Sequence, residues 1–155
     1  MRLKTSYSAR EVAALTGLSA RQLQGWDADE IFQPAIAPRR TTSGGFTERR
    51  YTPVDLLELL ALAHLRQRGF TPSVLRQLMD TLRDYFRRRL SETLDDAGDV
   101  RLLTDGQRLF LRTQHGHIFD LLADPRQPLV TGDGLPLKAV TARAKPQRRR
   151  KARTN

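Results

Sequence analysis

Apolar residues recur at helical spacing through the first 90 positions and shift toward strict alternation after position 100. Four helix starts are written in capping chemistry. Ser8-Ala-Arg-Glu11 and Ser19-Ala-Arg-Gln22 are capping boxes, in which a hydroxyl and a carboxylate or amide satisfy the first free backbone N–H groups reciprocally. Thr52-Pro53-Val54-Asp55 and Thr71-Pro72-Ser73 place a threonine cap before a proline, where a helix needs no N–H. The spacing predicts a helix over 9–16 with Val12, Ala13 and Leu15 as its stripe, stopped by Gly17. A second follows over 20–29, anchored by Leu23 and Trp26. Helix 53–68 is too leucine-rich for one narrow stripe and reads as a central core helix. Helix 72–90 carries Leu75, Leu78, Leu82, Tyr85 and Phe86 on one face, with Arg87, Arg88 and Arg89 in its last turns.

Between the second and third helices, 36–51 reads as two short strands about Ser43-Gly44-Gly45. After an acidic stretch at 91–99 the period approaches two. A hairpin is predicted with strands at 100–104 and 107–113 about a favoured Asp105-Gly106 turn. A further turn at Gln114-His115-Gly116 leads into 117–122. A last apolar stretch, 135–140, suits only a sheet edge because Pro136 cannot donate to a ladder.

The resulting expectation is an α+β chain with four regions. These are a mostly helical domain at 1–90, an acidic linker at 91–99, a small antiparallel β unit at 100–140, and a basic, disordered tail at 141–155. A unit of about 40 residues is too small to be stable alone, so the β unit is expected to pack on the helices or on a second copy. Charge sharpens the division. Residues 1–90 carry 15 Lys/Arg against 9 Asp/Glu, residues 91–137 carry 4 against 8, and residues 138–155 carry 8 against none. The tail's basic residues, Arg148, Arg149, Arg150 and Lys151 among them, suit a sequence-independent phosphate contact through counterion release.

The 155 residues are 39% hydrophobic and 28% charged, a soluble globular balance. No apolar run approaches the roughly 18 residues of a membrane span. The first residues lack the apolar core of a secretory signal. There is no cysteine, which excludes disulfides, thiolate metal sites and thiol nucleophiles and suits a cytoplasmic setting. The chemistry-bearing motifs of hydrolases and phosphate-cradling loops are absent. His64 lies among leucines, and His115 and His117 flank a turn without a third ligand nearby. Neither an enzyme nor a metal or other cofactor is expected.

A short helix, a glycine turn and a second capped helix form a helix-turn-helix pattern. Taken with Tyr7-Ser8, Glu11-Val12-Ala13, Leu15-Thr16-Gly17-Leu18-Ser19, Leu23, Pro34, Gly44-Gly45-Phe46, Arg50-Tyr51-Thr52-Pro53-Val54-Asp55-Leu56 and Gly69-Phe70-Thr71, residues 7–86 resemble the DNA-binding domain of MerR-family transcription regulators. The resemblance implies a winged helix-turn-helix, with helix 20–29 in a major groove, the wing on phosphates, and a homodimer on twofold-symmetric double-stranded DNA. Gln24-Gly25-Trp26 stands where the family usually carries Arg-Tyr-Tyr.

The expected DNA contacts are Ser19, Arg21, Gln22 and Gln24 from the second helix, Arg39, Arg40, Arg49, Arg50 and Tyr51 from the wing, and the tail cluster. Tyr51 reads first as a contact to sugar or phosphate and second as a core tyrosine at a helix start. The leading function is a sequence-specific regulator. The alternative is an adaptor or antitoxin-like protein that uses the winged helix for DNA and 100–140 for a protein partner, a ligand or its own twin.

Overall fold

The computed structural model describes residues 4–36, 49–129 and 136–142. The chain divides into two compact units, one running to His64 and the other covering Leu65–Thr141.

In the first unit, β1 (Tyr7–Ser8) leads into α1 (Ala9–Thr16) and α2 (Ala20–Ala28). A second short strand, β2 (Arg50–Tyr51), pairs antiparallel with β1, Tyr7 opposite Tyr51 and Ser8 opposite Arg50. The Arg50 backbone also bridges Ile36. Thus the segment that leaves α2 and the strand that returns meet beside the start of α1; the predicted turn of the hairpin lies outside the described residues. Helix α3 (Pro53–Gln67) follows, with an unbroken buried run from Glu58 to Ala63 and Leu65 buried beyond it. Val12, Leu18, Leu23, Trp26, Ile31, Phe32 and Tyr51 complete the unit's buried apolar set.

Asp55, 1% exposed, is more than the first-turn acid that the sequence shows. Its Oδ2 accepts the N–H of Thr52 at 2.9 Å and that of Ala35, 20 residues earlier, at 3.0 Å. Thr52 Oγ1 accepts the Asp55 N–H at 3.0 Å in return. One carboxylate therefore closes the cap of α3 and fastens the chain that leaves α2.

The second unit sets α4 (Pro72–Phe86) with a sheet of β3 (Val100–Thr104), β4 (Leu109–Thr113), β5 (Ile118–Asp120) and β6 (Lys138–Ala139), in the order β5-β4-β3-β6. β6 lies at the edge, as Pro136 requires. All five residues of β3, one of the two strands with neighbours on both sides, are buried. Phe86 meets Phe119 edge to face, centroids 5.2 Å apart, and the Gln77 side chain donates to the carbonyl of Leu122 at 3.3 Å. The sheet thus packs on a helix of its own unit.

Two local expectations need correction. Helix α4 stops at Phe86, not at 90: Arg87 is left-handed at φ 52°, and the Arg88 N–H returns to the Leu82 carbonyl at 3.0 Å. The chain turns there because Leu90 is buried at the head of a 3-10 turn, Leu90–Thr93. Tyr85, on the same helix, is 48% exposed with the Arg126 guanidinium 5.6 Å from its ring centre, so this end of the apolar face lies outside the core. The β3–β4 connection is a loop over 105–108, not a two-residue Asp-Gly turn. Asp105 accepts from the N–H groups of Gln107 and Arg108 at 2.9 and 2.7 Å, and Thr104 Oγ1 donates to the Arg108 carbonyl. Partial burial raises the Asp105 pKa, but these amides and the Arg108 guanidinium outweigh it and hold the carboxyl below its usual range.

The stretch 91–99 is built, not slack. The Asp95 side chain accepts from Ala97 N–H, and a Cβ on Gly98 would lie 3.2 Å from the Asp95 carbonyl oxygen and 3.3 Å from that of Glu92. Both are backbone atoms with little room to yield.

Two predictions follow from these contacts, read by chemical denaturation. Gly98→Ala is expected to lower stability by about 1–2 kcal/mol through that crowding. Because the Asp105 pKa is depressed in the fold, its contribution is present above about pH 4 and fades as pH falls below that; Asp105→Asn should flatten this acid limb. An unchanged acid limb in the variant would contradict the assigned role.

Candidate nucleic-acid interface

The helix-turn-helix is held at its elbow by side chains of the elbow itself. Ser8 and Glu11 form the capping box of α1, with both bonds at 3.1 Å. At the other end Thr16 Oγ1 donates to the Val12 carbonyl at 2.7 Å and accepts the Leu18 N–H at 3.1 Å. Gly17 supplies the left-handed turn at φ 80°, which a side chain would strain. Ser19 then caps α2: its hydroxyl accepts the Gln22 N–H at 3.0 Å, and Gln22 Oε1 accepts the Ser19 N–H at 2.8 Å. Leu23 and Trp26, 3% and 5% exposed, fasten α2 from beneath, and the Trp26 carbonyl accepts the N–H groups of Ile31 and Phe32.

This arrangement sorts the expected contacts. Ser19 and Gln22 are exposed, but their facing polar atoms close the cap. Arg21 and Gln24 are exposed on α2 with no hydrogen-bond or ion-pair partner among the described residues. Gly25 lies between them and the core anchors; a Cβ there would meet nothing within 4 Å. Packing inside the chain therefore does not call for glycine at this position.

The wing arginines that the structure describes both have protein partners. Arg49 Nε donates to Asp27 Oδ2 at 2.7 Å, joining the chain ahead of β2 to the last turns of α2. Arg50 donates through Nε and Nη2 to Ser6 Oγ, at 3.2 and 2.8 Å, across the β1–β2 pair. Tyr51 is 1% exposed, and its hydroxyl has no hydrogen-bond partner among the described residues. Burial raises its pKa, against the opposing pull of Arg49 and with help from Asp27 and Asp55. Its ring belongs to the core at the foot of α3, the structural half of the sequence reading. Arg39, Arg40, Arg148, Arg149, Arg150 and Lys151 lie outside the described residues.

Two residues escaped the sequence reading. Asp27, which holds Arg49, is 22 residues from its partner, and no local spacing reveals such a pair. Arg10 is exposed in the first turn of α1 with no partner among the described residues. A cation is unfavourable at a helix N-terminus, so the signal was available. The described residues hold no group of three or more His, Cys, Asp or Glu placed for a metal ion. None of their helices is long and apolar enough to cross a membrane.

A capped two-helix elbow, outward polar side chains on the second helix without partners among the described residues, and an ion pair from that helix to the chain ahead of β2 meet in one unit. Residues 7–82 match the family model described as MerR HTH family regulatory protein. The chain carries a MerR-family helix-turn-helix domain. HTH-type transcriptional regulators of Mycobacterium bovis and of two Mycobacterium tuberculosis strains are 25% identical over 116 residues, covering 75% of this chain. The chain spans 47% of the length of those relatives.

Within this MerR-type domain, Gly25 lowers the stability of α2 without a compensating contact among the described residues. Gly25→Ala is expected to raise stability by about 1 kcal/mol, and Ser19→Ala to lower it by about the same amount. Thermal unfolding of the two variants checks both signs.

Proposed function

We propose that this chain is a sequence-specific DNA-binding transcriptional regulator that acts as a homodimer on a twofold-symmetric operator. The observation that carries the reading is the face of α2. Arg21 and Gln24 project from a helix whose ends and buried side are fixed by other residues, so their functional groups are available without loss to the fold. Arginine and glutamine are the side chains that pair in bidentate fashion with guanine and adenine edges in a major groove. The MerR-type match supports the helix-turn-helix geometry, and the names of the relatives support a regulatory role. The homodimer rests on the family resemblance.

Roles divide accordingly. Arg21 and Gln24 read bases. Ser19 and Gln22 shape the helix start and present its N-terminal turn. Arg49 positions the wing against α2 through Asp27, and it contacts a phosphate with the part of its guanidinium that Asp27 does not use. Arg50 fixes β1 to β2, and Tyr51 supports the joint from the core. Arg10 adds a phosphate contact from α1. Arg39, Arg40 and the tail cluster add sequence-independent attraction that sets no register.

The test is selection from a random-sequence DNA pool at two salt concentrations, with the full chain and with residues 1–140. Enrichment of a short inverted repeat by both is expected. Salt-sensitive binding without an enriched site, lost on truncation, would overturn the reading. On the selected site, Gln24→Ala is expected to change base preference at one position of each half-site, worth about 1–3 kcal/mol. Arg49→Ala should weaken all sequences alike, yet reduce the salt slope by less than the roughly one unit of a phosphate-only cation, because Asp27 already neutralises part of its charge. Equal, sequence-independent losses in both variants would remove the division between reading and positioning.

A further inference from the structure

The second unit contains a polar cleft of about 410 Å³ between the turn at 96–99 and the adjoining ends of β3 and β4. Arg101 and Arg112 both line it, and they are direct partners across the β3–β4 ladder. Cβ atoms of such pairs lie about 5 Å apart on one face, and like charges placed so destabilise a sheet. The arrangement therefore needs a negative counterpart.

The carboxylates around the cleft do not supply it in full. Arg101, 6% exposed, is anchored by Nε to Asp96 Oδ1 at 2.8 Å and by Nη1 to the carbonyls of Thr93 and Val140 at 3.0 and 2.7 Å. Asp99 holds Arg88 Nη2 at 2.5 Å. Each acid thus already faces one arginine. Arg112 is exposed and has no acid or hydrogen-bond acceptor among the described residues, and Gln114 stands beside it on the same wall. One planar guanidinium fork is left, next to a fixed buried arginine, in a cleft with polar walls.

We propose that this cleft binds a small hydroxylated carboxylate. The single unmatched positive charge suits a monoanion, and a guanidinium fork takes a carboxylate through two parallel hydrogen bonds. The remaining walls present acceptors: the Asp96 side chain is 87% exposed and that of Asp99 52% exposed. Ligand hydroxyls donate to these oxygens, whereas an apolar acid leaves them unserved. Arg101, held on three sides, fixes the positive end of the cleft before any ligand arrives. This assignment goes beyond the DNA-binding reading and does not depend on it.

The experiment is a titration of the isotopically labelled full chain with sodium gluconate, followed by amide chemical shifts. Glucose, inorganic phosphate and sodium chloride at matched ionic strength are run alongside. Saturable shifts confined to 96–101 and 112–114 are expected with gluconate and not with glucose. Arg112→Gln is expected to weaken the binding at least tenfold while leaving the rest of the spectrum in place, since it relieves a like-charge pair. Arg112→Lys, which keeps the charge and loses the fork, should fall between, and Arg83→Gln, on an exposed helix surface, should bind as the parent does. The proposal is overturned by the absence of saturable gluconate shifts or by an unaltered affinity in Arg112→Gln. It is equally overturned by saturation with phosphate alone, or by chloride shifts of the same size and place.

Discussion

The first unit turns on one carboxylate oxygen. Asp55 Oδ2 accepts the N–H of Ala35, just before the chain enters the segment 36–51, and that of Thr52, just after it leaves. Both ends of that segment are therefore tied to the same atom at the N-terminus of α3, where the helix dipole also favours a negative charge. Loss of the carboxylate would leave two amide donors without partners and the α3 cap open, which is why a buried acid is tolerated here. The β1–β2 pair, the Arg50–Ser6 bonds and the Arg49–Asp27 ion pair then have a fixed base from which to act. The position of the strand beside α2, and so the geometry of any groove contact, descends from that anchor.

Local chemistry made the helices legible, and distant pairing hid the rest. The starts of α1, α2 and α4 lie where the Ser8, Ser19 and Thr71 caps predict, because a cap reaches only three residues along the chain. Gly17 and the edge position of β6 after Pro136 are read from single-residue constraints of the same kind. Asp55 was visible only as a first-turn acid, since its second partner is 20 residues away. Arg49 and Arg50 looked like two free cations in a basic hairpin; their partners, Asp27 and Ser6, lie 22 and 44 residues earlier. The end of α4 was misjudged for a related reason. Arginines favour a helix C-terminus, but burial of Leu90 and the left-handed Arg87 turn the chain four residues sooner.

These distant pairings also change what the positive charge of the N-terminal half means. A count of arginines treats each as available to a phosphate. The structure assigns the Arg49 and Arg50 guanidiniums to joints within the fold and leaves Arg10 and Arg21 outward. A cation that already satisfies a carboxylate gives less counterion release than a free one, so the number of arginines overstates the electrostatic part of binding. Holding a joint of the fold and standing outward are separate conditions, and among the described residues of this unit they fall to different arginines.

Helix α2 is arranged so that its outward middle positions carry little structural duty. Its start is closed by Ser19 and Gln22, its buried side by Leu23 and Trp26, and its end by the Trp26 carbonyl, which gathers the N–H groups of Ile31 and Phe32. Glycine at position 25, with open space where a side chain would lie, is tolerable only because these supports lie at the ends and beneath. The outward positions 21, 24 and 25 can then change without disturbing what holds α2 in place. In the base-reading role proposed for α2, such separation is an advantage: the outward groups can be altered to suit a different sequence while the elbow, the caps and the Asp55 anchor stay as they are.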